Sequence, residues 1–594
     1  MSDREISGRR RSTPGRRRLA AAGIAGIAVA AGVFTGAGQI GTAQAAPPPP
    51  PPPPSQLPPA GPSPGGQIAR DWTQPNANLA GTRDVQSRIN SGSVSRLGLA
   101  WSVPIPGSGE FGNYATSPVI VGGVAYEQNL MSDVQAVDFR TGRVLWTHPF
   151  NSPNGGPDGV NVQAGVVYGA TNDSAFALDA RTGATLWIRR LTRNDHEGID
   201  MAPGFNDNTV YVSTVPVNTS AFYAGNGQAI LWAMDARTGA TKWQFREVGD
   251  DLFGNTAVNS GGGQWQAPTF DALGNLYLEV GNPAPFVGSS TTVSTTSPDL
   301  AFGGSRPGPN LYTNSVVKLD ARTGGLIWYD QLTPHDVYDH DLNNQAMLMN
   351  VGGREIVISA GKAGIAIAND AQTGRRLWTT PFGEHNGHDD DNIAAMNRDF
   401  SRLPDPASTY ALFPGVLGGA ETPYATDGRL IFIPANDLEG LVTAQLEGAG
   451  EDPAVGTGEM VAIDAATGSI VWDHRFAHSP YGGATVSNDL VWTTTFDGQL
   501  IALDTRTGNV VYQSTLPAGT NAPVVVEDDT VLTASTIATL PGQTAQILAY
   551  RLGADAPPPR GPAGPAAVSG LLPSPIPGAQ PLPQGFNLGG WTVR

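Results

Sequence analysis

The chain has 594 residues with 75 Gly, 50 Pro and 15% charged residues, a composition suited to many short strands and tight turns that excludes a mostly helical protein. A formal charge of −17 argues against binding to nucleic acid or anionic lipid. Cysteine is absent, which rules out disulfides, covalently attached haem and a lipidated N-terminal cysteine.

Residues 1–45 read as an export signal. Arg9-Arg10-Arg11 and Arg16-Arg17-Arg18 precede an apolar run from Leu19 to about Val33, and Ala43-Gln44-Ala45 offers a small-x-small cleavage site. Arg16-Arg17-Arg18-Leu19-Ala20 loosely matches a twin-arginine signal. The competing reading, a retained membrane anchor, is weakened by a short run rich in Ala and Gly. Cleavage removes seven basic and two acidic residues, so the charge becomes −17 − 5 = −22. The expectation is a secreted or cell-envelope protein with no stable membrane insertion after cleavage. Residues 46–67 follow as a linker, with Pro47 to Pro54 unbroken and therefore extended.

The folded part is expected over residues 68–552, and one phrase organises it. Asp235-Ala236-Arg237-Thr238-Gly239-Ala240-Thr241-Lys242-Trp243 has six further copies, starting at Asp138, Asp179, Asp320, Asp370, Asp464 and Asp504, the last ending in Tyr512 instead of Trp. Alternating residues flank Asp-x-x-Thr-Gly, so the phrase predicts a hairpin turn between two strands, with Asp accepting from the turn's own amides. One hairpin cannot bury its apolar face, so the units must stack. Their spacings of 41, 56, 85, 50, 94 and 40 residues suit four-stranded blades, and hence an all-β propeller. Phe270-Asp271-Ala272-Leu273-Gly274-Asn275 reads as a worn copy, which makes eight blades, with seven as the fallback. The strand ending at Trp101 precedes the first copy and is expected to complete the last blade. Residues 553–594 read as a disordered Pro/Gly-rich tail.

Three stretches carry possible chemistry. Thr333-Pro334-His335-Asp336-Val337-Tyr338-Asp339-His340-Asp341 packs three carboxylates and two imidazoles into seven residues, a density that turn capping and surface charge also produce. Gly261-Gly262-Gly263-Gln264-Trp265 lets backbone approach a flat ligand above an indole, and Asn282 in Gly281-Asn282-Pro283-Ala284-Pro285 offers an oxygen to a hard cation. His385, His388 and Asp389-Asp390-Asp391 have the density of a metal site, which an exposed Gly- and Asn-rich loop explains equally.

These stretches, in this order with the repeat, resemble the quinoprotein alcohol dehydrogenases, eight-bladed propellers holding pyrroloquinoline quinone and usually Ca²⁺. The resemblance covers about Asp71 to Arg551. It implies Trp265 under the quinone ring, Asn282 as a Ca²⁺ ligand, Asp339 as catalytic base and metal contact, and Lys362 on the quinone oxygens. It also marks departures. Where the family has a metal-binding Glu, the chain reads Ser213-Thr214-Val215-Pro216-Val217-Asn218-Thr219, with Asn218 as a neutral donor. Gly155-Gly156-Pro157 stands for a Cys pair, Glu421 for an Asn over the cofactor, and Tyr481 near a usual Trp. The implied activity is oxidation of an alcohol or sugar, with electrons passed to a separate acceptor because this chain has no haem attachment. The alternative is a non-catalytic propeller serving as an envelope scaffold or ligand-binding module.

Overall fold

The chain divides into two units, Met1–Gly61 and Pro62–Arg594. The computed structural model describes residues 72–554 except 108–111, 217–224, 286–301, 343, 406–407, 444–445, 450–452, 454 and 539–541, together with the strand pair Asn587–Leu588 and Trp591–Thr592. The expected export signal and linker, and most of the expected tail, lie outside the described residues.

Eight sheets of four antiparallel strands form the blades of a propeller, the seventh with Asp84–Val85 added in parallel on its first strand. They span residues 119–148, 161–190, 204–246, 269–331, 347–381, 425–476, 485–515 and 525–552, and the eighth takes its fourth strand, Leu97–Pro104, from the other end of the chain. Leu97 to Pro104 pairs antiparallel with Gln546 to Leu552, as the sequence led us to expect, so the ring closes by strand pairing without a covalent link.

The repeat explains how neighbouring blades are joined. Each Asp caps its own turn: Asp138 Oδ1 accepts from Thr141 N at 2.9 Å and from Thr141 Oγ1 at 2.7 Å. Each Trp then reaches the next blade. Trp146 donates to Ala180 O at 3.0 Å, Trp187 to Ala236 O at 2.9 Å and Trp378 to Ala465 O at 3.0 Å, in each case the residue just after that blade's Asp. The Gly is required twice over. Gly239 has φ +68°, and a Cβ there would lie 2.8 Å from Trp187, so the indole lies directly on the turn. Trp101 completes the pattern, donating to Phe139 O at 3.0 Å and lying on Gly142. The exception is the seam between blades seven and eight. Blade eight has no Thr-Gly turn, because its third and fourth strands come from opposite chain ends, and there the aromatic is Tyr512.

Two expectations are corrected. The fourth strands do not alternate up to the aromatic: the pairing slips by one residue just before it, as between Thr185 and Trp187, so that Val144 and Leu145 are both exposed. The Asp271 segment is not a worn copy of the repeat. It is the turn between the first two strands of blade four, whose own repeat starts at Asp320, and the unit without a repeat is blade eight. The 94-residue interval carries an insertion that includes the helix Asp391–Met396 and the strand Tyr410–Leu412.

The segment before the first blade crosses the ring. Trp72 O accepts from Ile120, Leu79 O from Phe270, Ala80 O from Leu348, Thr82 O from Thr426, Arg83 O from Val486 and Asp528 O from Arg88, so the segment is tied to blades one, four, five, six, seven and eight. These partners lie on or next to the innermost strands at the end where the first turn of each blade emerges. Arg83 is fully buried and donates to Ala484 O, Pro75 O and Val524 O at 2.7–3.0 Å, and to Ser117 and Thr485 hydroxyls. The segment therefore lies across the turn-face end of the central channel, and the candidate residues that are described belong to connections on the opposite face.

Candidate active site

The site forms where four connections meet. The glycine run leads from blade three to four, Asn282 follows the second strand of blade four, Asp339 and Asp341 lie between blades four and five, and Lys362 follows the second strand of blade five. Gly261, Gly262 and Gly263 have φ of +102°, +72° and +120°; a Cβ on Gly263 would lie 2.3 Å from Val215, and one on Gly261 2.4 Å from Asn282 O. Only glycine lets this run lie flat against its neighbours. Gly262 N donates to Asn282 O at 2.8 Å and Gly281 N to Gly263 O at 3.0 Å, which locks the run beneath Trp265 to the Asn282 loop.

Asn282, Asp339 and Lys362 then converge. Asn282 Nδ2 donates to Asp339 Oδ1 at 2.6 Å, and Lys362 Nζ donates to Asp339 Oδ2 at 2.9 Å. The ammonium also donates to Asp341 Oδ2 at 2.9 Å, lies 4.0 Å from Glu421 Oε1 and sits 5.5 Å from the centroid of the Trp265 ring. Asn282 N donates to Asp341 Oδ1 at 2.8 Å. The Lys362 side chain is 3% exposed and that of Asp339 25%, so the carboxylate is the part a ligand can reach. Asp339 holds φ +59°, the left-handed region a non-glycine residue rarely adopts, which the surrounding bonds enforce.

Electrostatics follow from this geometry. Burial at the floor of the mouth raises the Asp339 carboxyl, Asp341 and Asp336 push it further, and Lys362 opposes them. Burial works against the Lys362 ammonium, but Asp339, Asp341 and Glu421 outweigh it and hold it well above its ordinary value.

Two buried supports escaped the sequence reading. Arg306, wholly buried, donates to Pro285 O and, at 2.6 Å, to Asp336 O, so it ties the Asn282 loop to the Asp339 loop. Glu247 accepts from Gly263 N and Gln264 Nε2 at 2.8 Å and from Ser213 Oγ at 2.7 Å, pinning the glycine run. Neither has a local motif, since each acts on chain distant in sequence. Asp341 lay within the acidic stretch but had no role assigned to it.

The structure brings together Trp265, Asn282, Asp339, Lys362 and Glu421. Tyr481 donates to Leu417 O at 3.2 Å and packs edge-on against Phe496, in a cluster with Leu438 and Ile537. Asn218 lies outside the described residues. His385 and His388 pair with Asp389 and Asp391 at 2.8 and 2.9 Å, and among the described residues no group of three or more His, Cys, Asp or Glu is arranged as a metal cage.

The residues fit a flat, carbonyl-bearing cofactor and a hard cation. The glycines form a cradle that any Cβ would fill, Trp265 offers a ring face under an ammonium, and Asn282, Asp339 and Asp341 are all oxygen donors.

Fold and site together define a quinoprotein-type propeller. The family model described as outer membrane protein assembly factor BamB, built on PQQ-like repeats, matches residues 130–403 and 456–550, more than half of the chain, and the chain belongs to that family. It is a divergent member on the alcohol dehydrogenase-like side. It is 27% identical over 415 residues to the dehydrogenase subunit of the quinone alcohol dehydrogenase of Gluconobacter oxydans, covering 61% of this chain and 52% of that protein. It is 26% identical over 486 residues to the quinohemoprotein alcohol dehydrogenase ADH-IIG of Pseudomonas putida, covering 69% and 64%. The chain thus spans between about half and two thirds of the length of these relatives. The solved quinohemoprotein alcohol dehydrogenase of Comamonas testosteroni superposes with a TM-score of 0.69 at 23% identity, covering 83% of this chain and 82% of that one. A europium-containing methanol dehydrogenase gives 0.65 at 19%, covering 81% and 98%. Both show the shared fold.

Proposed function

We propose that this chain is an extracytoplasmic dehydrogenase that oxidises an alcohol or a sugar and passes the electrons to a separate acceptor. The observation that carries this reading is the convergence of Asp339, Lys362, Asn282 and Trp265 from four connections onto one mouth. A scaffold has no use for a half-open carboxylate held by a buried ammonium and an amide.

Pyrroloquinoline quinone, held over Trp265 and against Lys362, would supply the hydride acceptor when bound, and a hard cation such as Ca²⁺ on Asn282, Asp339 and Asp341 would polarise it. The rest falls to the chain. Asp339, reachable from the mouth, takes the hydroxyl proton as the carbon–hydrogen bond breaks. Asn282 and Lys362 fix both of its oxygens, so the carboxylate cannot rotate away from the bound alcohol. Asp341 holds Lys362 from the other side and keeps the ammonium charged and stationary.

The full-length protein mixed with pyrroloquinoline quinone and Ca²⁺ is expected to reduce an artificial dye with a member of an alcohol and sugar panel. Asp339→Asn is expected to lower that rate about 10²-fold or more while the thermal melt is retained. Cofactor titration without binding, and no dye reduction across the panel, rejects the dehydrogenase in favour of a scaffold.

A further inference from the structure

A second group of acids faces the same mouth from blades one to three. Asp158 lies in the connection between blades one and two and is 1% exposed, yet neither of its carboxylate oxygens has a hydrogen-bond partner. The neighbouring Ser132 hydroxyl has one proton and donates it to Ser152 O at 2.7 Å. Asp200, in the connection between blades two and three, is partly exposed, and its Oδ1 also lacks a partner. Neither acid forms an ion pair among the described residues.

The two connections are built to lie together. Asp158 N donates to Gly156 O at 2.9 Å, and a Cβ on Gly156 would lie 2.0 Å from Asp200 Cβ, so only glycine admits this approach. Asn154 Nδ2 clamps the loops by donating to Ile199 O at 2.6 Å, and Asn161 Nδ2 donates to Pro203 O at 3.2 Å. A Cβ on Gly159 would lie 2.4 Å from Thr116 Oγ1, which fixes the far side of Asp158.

Burial of a carboxylate with no donor is tolerated when it holds a proton or a cation. Buried position raises the carboxyls of both, Asp200 to about 8 with the Asp341 charge adding to it, and Asp158 well above its ordinary value with the Asp200 charge adding to it. The built recess, the orphaned oxygens and the absence of a basic partner are what a hard cation satisfies with oxygen ligands.

We infer that Asp158 and Asp200 form a divalent-cation site of their own, beside the Asp339–Lys362 cluster and distinct from it. The site is independent of the dehydrogenase reading. Its effect is to neutralise the blade-two side of the mouth, as Lys362 neutralises the opposite side.

The test is calorimetric titration of the chelator-stripped full-length protein with Ca²⁺ alone, without cofactor or substrate. Wild type is expected to bind with submillimolar affinity. Two binding events are then expected, and Asp158→Asn and Asp200→Asn should each weaken one of them at least tenfold, while Asp339→Asn, which removes a ligand of the other cation position, leaves that event in place. Melting in Ca²⁺-free buffer separates lost binding from lost fold, because removing one of two like charges should leave Asp158→Asn at least as heat-resistant as wild type. If Asp158→Asn does not fold, Asp200→Asn decides by the same criterion. Wild type binding no tighter than millimolar, or either folded Asn variant binding as wild type does, overturns the site and leaves two acids that hold protons. Loss of all binding in Asp339→Asn overturns its separateness.

Discussion

At the level of single residues, Lys362 holds the site together. It is the cation between Asp339 and Asp341, with Glu421 at 4.0 Å, and it is almost entirely out of water. Lys362→Met should destabilise the fold by about 3–5 kcal/mol, because it leaves buried carboxylates uncompensated. Lys362→Arg should recover part of that loss, and urea unfolding measures both. Trp265, Asn282 and Asp339 were legible because they sit in glycine-, proline- and acid-rich stretches of unusual composition, whereas Lys362 was reached only through the family resemblance. Arg306 and Glu247 were not, since a buried ion looks like any other Arg or Glu until the chain brings its partners to it. The role of Tyr481 was not readable either, since proximity to an aligned position says nothing about which way a ring points; in the structure it packs edge-on against Phe496.

At the level of the blade, Asp-x-x-Thr-Gly and its Trp are two halves of one joint. The Trp of one unit lies on the Gly of the next and bonds the residue after its Asp. Trp187→Phe should therefore cost about 1 kcal/mol through the lost bond to Ala236 O, and Trp187→Ala about 3–5 kcal/mol. Tyr512 occupies the seam without a facing glycine turn, and its buried hydroxyl, near Ser514, closes no hydrogen bond. Tyr512→Phe should change stability by no more than about 0.5 kcal/mol, or raise it slightly, in the same unfolding assay. The repeat made blades and turns readable in sequence because this joint fixes its residues locally. What misled was Asp271, which caps its own turn through Leu273 N and Asn275 N much as the repeat aspartates do, but between different strands. The pairing slip before each Trp was also hidden, since two adjacent apolar residues such as Val144 and Leu145 do not announce that both face outward.

At the level of the whole ring, acids buried in different blades set the response to pH. Burial raises Glu127 and Glu279 to about 8 and Glu247 to about 7, all above an ordinary value of 4.5. Between about 4.5 and those values the folded chain holds protons that the unfolded chain has released, so stability falls as pH rises through this window. Asp138, Asp179 and Asp235 act in the opposite sense. Their turn hydrogen bonds hold them below 3.8, and the stability they contribute is lost only as pH falls below that value. The melting temperature should be higher near pH 5 than at pH 8, and scanning calorimetry across that range checks it. Ring closure through Leu97–Pro104 was readable because a strand ahead of the first repeat has no other place to pair. The path of the chain from Trp72 to Arg88 was not, because it reaches six blades through main-chain bonds that no side-chain pattern records, and the Arg83 side chain adds bonds to distant chain.

That crossing segment stands over one end of the ring axis, with Trp72 and Arg83 out of water there. A small molecule admitted at the mouth is then expected to back out through the door it came by. On the dehydrogenase reading, fuel, waste and the collector of electrons share one threshold. Each must clear it before the next arrives, and turnover becomes a matter of taking turns.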